Sequence, residues 1–154
     1  MRNTTTEFTE KAKAAQNRPV ELVDFFLGDQ KHSDSNTLHF AIADTSVDFY
    51  DVDGNQQVYT PMRIEREQVH HNMDLRRSSV GLKIGVTGYK EVNGQKVREF
   101  QDIFWKHSQY MQDKRVLVRQ VFSDLTDSPN HFVTIIDGLV DVVSMSEDAC
   151  GLTV

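Results

Sequence analysis

Apolar residues recur at every second position through much of this chain. In "SSVGLKIGVTG" the residues Val80, Leu82, Ile84 and Val86 share one face, the period of a strand covered on one side. "MRIEREQVHHNMDL" sets Met62 and Ile64 against Arg63, Glu65 and Glu67, which predicts a half-solvated strand. "VELVDFFL" (20–27), "TLHFAIA", "VDFYDV", "RVLVRQVFSD" and "HFVTIIDGLVDVVSMS" read as further strands. "GDQKHSDSN" (28–36) is a polar loop and "TDSPN" a turn cluster. The last of these strands reads as a pair turning near Asp137-Gly138. The period changes once. Val97, Phe100, Ile103, Phe104, His107, Tyr110 and Met111 fall three and four residues apart, which predicts an amphipathic helix over about 97–111. Trp105 lies off that stripe and is a candidate subunit contact, since aromatic residues are enriched at interfaces. At the start, Thr4 and Glu7 have the spacing of a capping box, and a short helical arm (1–17) ends before Pro19. The fold class expected is mainly β (α+β): some seven or eight strands with one long internal helix and a short leading one.

"DFYDVDGNQQVYTP" (48–61) decides between a metal site and a turn. Counted from Asp51, a calcium loop would place ligands at Asp51, Asp53 and Asn55, but its sixth position is Gln56 and its twelfth Met62, where glycine and a bidentate Glu are required. The flanks alternate like strands. Asp53-Gly54 between alternating runs predicts a β-hairpin, because these residues tolerate the positive φ of a primed turn. Asn93-Gly94 is a second such signal.

At 154 residues the length suits one domain (1–154) with one hydrophobic centre. A net charge of −6 with scattered basic residues disfavours nucleic acid as a primary ligand. The single cysteine, Cys150, excludes an intrachain disulfide framework and reads as an inert thiol. No apolar stretch reaches the roughly twenty residues that span a bilayer, and no signal peptide is legible, so a soluble chain without a membrane anchor is expected.

Chemistry is sparse. Of the six histidines, His70 and His71 would point to opposite faces of a strand, and His107 sits on the apolar stripe. His32, His39 and His131 could meet in space but lack metal-ligand spacing. There is no Gly-x-Ser-x-Gly elbow, and the eight glycines are single. Acidic pairs such as Asp51 with Asp53 and Glu65 with Glu67 read as solvated faces. The expectation is no enzyme, no cofactor and no metal.

The order of segments resembles a known family. "RPVELVDFFLG", "LHFAIADTSVDFYDVDGNQQVYTPMRIER", "SSVGLKIGV" and "RVLVRQVF…HFVTIIDGLVDVVSMSED" resemble the first, tube-like domain of the tail-tip hub and distal tail proteins of long-tailed bacteriophages and gene transfer agents. The carrying residues are Gly54, Tyr59 and Pro61, matching a "G-x-x-Y-x-P" turn with two extra residues, and Gly138 between two β arms. The resemblance covers roughly Arg18 to Ala149. It implies a tail-tube-like β-barrel or split β-sandwich (18–154), made in the host cytoplasm and built into the virion tail. There it would join the tail tube to the receptor-binding apparatus. Implied partners are other tail proteins, further copies of the chain, and DNA only in transit through the lumen. Because 154 residues hold one barrel, a homohexameric ring is expected, with a trimer as the alternative if another protein supplies a second barrel. The iron–sulfur segment of larger members is not carried over, since the chain has one cysteine. Two other readings stand beside this one: a small β-rich binding module outside phages, and a cryptic metal-dependent enzyme.

Overall fold

The computed structural model describes residues 5–13, 19–68, 80–85, 89–98, 111–122, 124–145 and 149–154. The chain divides into two compact units, each assembled from two stretches: Met1–Met62 with Arg115–Gly138, and Arg63–Lys114 with Leu139–Val154.

The first unit is a six-stranded, curled sheet preceded by one helix. Its elements are α1 (Thr6–Lys13), β1 (Pro19–Phe26), β2 (Thr37–Ile42), β3 (Val47–Tyr50), β4 (Gln56–Pro61), β9 (Arg115–Phe122) and β10 (Val133–Leu139), and the strand order is β10-β9-β1-β2-β4-β3. All residues of "LVDFF" in β1 are buried, as the near-continuous apolar run demands of a central strand covered on both faces. Its neighbours β9 and β2 pair with it antiparallel, with Val23 opposite Val118 and opposite Phe40. Leu22, Ala41, Val47, Phe49, Tyr59 and Val121 form one core cluster. A second, of Phe8, Phe122 and Val133, holds the helix to the sheet through Phe8 and Phe122, whose rings lie 4.9 Å apart. The helix is capped by Thr5, whose Oγ1 accepts the Phe8 N–H at 3.2 Å. The expected cap, Thr4, lies outside the described residues.

The strands of the second unit are β5 (Ile64–Arg66), β6 (Gly81–Gly85), β7 (Tyr89–Val92), β8 (Gln95–Arg98), β11 (Val142–Met145) and β12 (Ala149–Thr153). They form a four-stranded antiparallel sheet, β11-β12-β6-β5, and a separate β7-β8 hairpin. The alternation in "VGLKI" is realised: Val80, Leu82 and Ile84 are buried while Lys83 is exposed. No helix among the described residues is long and apolar enough to cross a membrane.

Three expectations need correction. The helix expected over about 97–111 does not include either of its terminal residues: Val97 belongs to β8 and pairs with Lys90, and Met111 begins a turn that its carbonyl closes with the Lys114 N–H. Phe100, Ile103, Phe104, Trp105, His107 and Tyr110 lie outside the described residues, as do His70 and His71. Gly138 is a strand residue of β10 and not a turn; β10 pairs with β9 while β11 pairs with β12, so the chain's last apolar run is split between two sheets. The hairpin at Asp53-Gly54 forms, as β3 against β4, but its turn has three loop residues. Asp51 and Asn55 close it, with the Asp51 N–H donating to the Asn55 carbonyl and the Gly54 N–H to the Asp51 carbonyl. Gly54 alone takes a left-handed φ of 81°, the pattern of a turn followed by a glycine bulge. The two-residue primed turn occurs instead at Asn93-Gly94, where both φ values are positive, 52° and 78°.

Candidate functional site

Buried charge marks out one place in the described residues. The register aligns Asp24 of β1 with His39 of β2, while Arg119 of β9 sits opposite Leu22, one same-face step from Asp24. The parallel pairing of Phe40 with Thr60 brings Tyr59 of β4 beside His39, with their rings 5.1 Å apart. Four adjacent strands, β9, β1, β2 and β4, thus carry a row of Arg119, Asp24, His39 and Tyr59.

The row is joined by hydrogen bonds. Arg119 Nη2 donates to Asp24 Oδ2 at 2.8 Å and to the Tyr59 hydroxyl. Asp24 Oδ1 lies 2.6 Å from His39 Nδ1. Asp24 and Arg119 are each 1% exposed, so neither charge is tolerable without the other. The guanidinium also lies 5.6 Å from the Phe49 ring and 5.3 Å from that of Phe132, within cation–π range. Arg119 Nε has no hydrogen-bond partner among the described residues. Burial first, then the Asp24 charge, pushes the Tyr59 hydroxyl well above its ordinary pKa, against the opposing pull of Arg119. The hydroxyl stays protonated and points its hydrogen to the Tyr50 carbonyl at 3.4 Å.

A polar loop extends the row outward. Ser33 Oγ lies 3.4 Å from His39 Nε2. The loop is tied to the β3-β4 turn by Asp53, which accepts the Ser33 N–H at 2.7 Å and contacts His32 Nδ1 at 2.8 Å. The Asp53 contact raises the pKa of His32 above its ordinary value. Asp51 organises the turn itself: Oδ1 accepts the Asp53 and Asn55 N–H groups, and Oδ2 the Gln57 amide. Burial works to raise the Asp51 carboxyl, but these donors outweigh it and hold it below the usual range.

The residues singled out in the sequence fare unequally. Asp53 and Gly54 are turn residues, and Asp53 also anchors the loop that holds Ser33. Pro61 ends β4, opposite Ala41. Of the three histidines considered for a metal, His32 takes Asp53, His39 takes Asp24 and His131 takes Asp127, so each has its own carboxylate. Among the described residues no three potential ligands cluster. Tyr59, singled out as part of a turn, is instead a buried residue of β4. Asp24, Arg119 and Ser33 were missed. A signal existed for the first two, since each is a single charge inside an apolar strand, "LVDFF" and "VLVRQVF", and a buried charge requires a partner.

The second unit offers a shallow groove of about 530 Å3, lined by Glu65, Glu67, Lys83, Ser144, Gly151 and Thr153 among others. Its polar groups partly satisfy one another: Glu67 accepts the Gly81 N–H at 3.2 Å, and Ser144 Oγ donates to the Gly151 carbonyl at 3.4 Å. No family model matches the chain, and no curated protein matches it.

Proposed function

We propose that this protein is a structural component of a phage tail tip or baseplate, joining the tail tube to the receptor-binding apparatus through a ring of its own copies. The observation that supports this reading is the open, curled six-stranded sheet, which ends on β3 and β10. Each has one side without a strand partner among the described residues, and free edges are templates for pairing with another chain. Val58 and Leu139 add apolar surface, 61% and 55% exposed. A tube-like barrel arises in this proposal when the edge of one copy continues the sheet of the next, and head-to-tail contacts of that kind close into rings. Six copies are expected, three if another protein contributes a second barrel. Mass measurement of the purified chain with negative-stain imaging tests the proposal. Rings of six or three support it; a monomer at every concentration up to hundreds of micromolar, with no rings on the grid, removes it.

A further inference from the structure

Ser33, His39 and Asp24 stand in the relation of nucleophile, base and orienting carboxylate. We propose that Ser33 is a His39-activated nucleophile that captures activated acyl and phosphonyl groups, the chemical class of activated esters and fluorophosphonates. The carboxylate of Asp24, already accepting from Arg119, accepts a second hydrogen at Oδ1 from His39 Nδ1, 2.6 Å away. With the proton on Nδ1, Nε2 carries the lone pair, and Ser33 Oγ lies 3.4 Å from it. The spacing is loose, as such pairs commonly are before a substrate arrives. His39 and Asp24 are fixed by direct cross-strand pairing, and Ser33 is held by its N–H on Asp53. The nucleophile therefore sits on a tethered loop over a rigid base, and its side of the site is only half-buried.

The reaction needs no other group. Ser33 Oγ attacks the electrophilic carbon or phosphorus, its proton passes to His39 Nε2, and the leaving group departs with the bonding electron pair. For a fluorophosphonate an O–P bond forms, a P–F bond breaks and fluoride leaves; His39 then returns the proton to solvent. Two features limit the rate. Arg119 already neutralises Asp24, so the imidazolium gains less from that carboxylate than it would from an unpaired one. The N–H groups of Ser33 and Asp34 are spent on Asp53 and on Thr37 Oγ1, so neither stabilises an oxyanion. The site thus favours slow, stoichiometric capture over rapid turnover, and it acts in the single chain whether or not rings form.

The test treats the full chain with an alkyl fluorophosphonate and maps the adduct by mass spectrometry. The expected result is one adduct, on Ser33, absent from Ser33→Ala and from urea-unfolded protein, and slowed about a hundredfold in His39→Gln by loss of the general base. Labelling of the unfolded chain at the native rate, an adduct elsewhere, or an unchanged rate in folded His39→Gln overturns it. Should His39→Gln not fold, the unaltered protein decides: its labelling rate must fall on acidification while NMR of the same sample shows the fold intact, and a rate flat over the range in which the protein stays folded refutes the proposal.

Discussion

The two units solve the problem of a core differently. Every buried polar or charged side chain among the described residues, Asp24, Thr37, Asp51, Arg119 and His131, belongs to the first unit. The second is closed by apolar residues such as Ile64, Leu82, Ile84 and Leu152, with Glu65 of β5 and Lys83 of β6 left on the exposed face. An apolar core is tolerant, because hydrophobic burial is non-directional and survives small shifts. A buried ion pair is not: it adds little net stability over apolar residues of the same shape, yet costs heavily when one partner is lost. What the first unit gains is geometry. Arg119, Asp24, His39 and Tyr59 hold one another in a fixed row, and the loop bearing Ser33 is tied to its end.

The sharpest way to break this contrast is Arg119→Ala, which leaves the Asp24 charge buried alone. It should destabilise by about 3–5 kcal/mol in urea unfolding, while Asp24→Leu combined with Arg119→Met should restore most of the loss. A cost below that of an apolar truncation in the second unit would erase the distinction.

That comparator is Leu82→Ala, expected to cost about 3 kcal/mol through lost transfer energy and a cavity. Cys150, opposite Ile84 in the same sheet, reports on it directly. Burial pushes its thiol up to about 11, so a thiol reagent at pH 8 should leave the native protein unmodified, and Leu82→Ala should accelerate labelling. If the chain unfolds as the single domain its length suggests, Arg119→Ala accelerates it too; acceleration by Leu82→Ala alone would mean that the two units open separately.

Backbone strain ranks next. A Cβ at Gly54 meets nothing within 4 Å, so Gly54→Val should cost about 1–3 kcal/mol from its left-handed φ alone. Unchanged stability would show that the turn relaxes into another form.

Asp51 gives the smallest effect and the one with a pH signature. Its carboxyl is held below the ordinary value of 3.8, so the ionised form contributes stability above that value, and the contribution is lost as the pH falls through the folded pKa. Asp51→Asn should cost about 1 kcal/mol at neutral pH and flatten the stability profile at the acid end. A profile identical to that of the unaltered protein would exclude Asp51 from the acid response.

Much of the fold was legible residue by residue. Alternation in "VGLKI" set one face of β6, "VELVDFFL" marked a strand, and glycine beside Asp or Asn marked both hairpins, because these signals are local and the backbone answers to them locally. The form of each turn was not legible. Asp51 stabilises a three-residue loop by accepting N–H groups two and four residues ahead, whereas Asn93-Gly94 has no such acceptor described and takes the two-residue form. Nor did local pattern tell that the run through Gly138 would be shared between two sheets, since strand partners are chosen by residues far along the chain.

The candidate site depended still more on distance. From sequence alone, Asp24 and Arg119 were single charges within apolar strands, Ser33 one of several hydroxyls in a polar loop, and His39 one of three uncommitted histidines. Composition and period determined that the chain would be mainly β and that its charges would need either solvent or partners. Only the tertiary structure chose those partners, because pairing β1 with both β2 and β9 brings residues 15 and 95 positions apart into one hydrogen-bonded line. A charge in a low-dielectric interior is defined by its neighbours, and neighbours across a sheet are set by register.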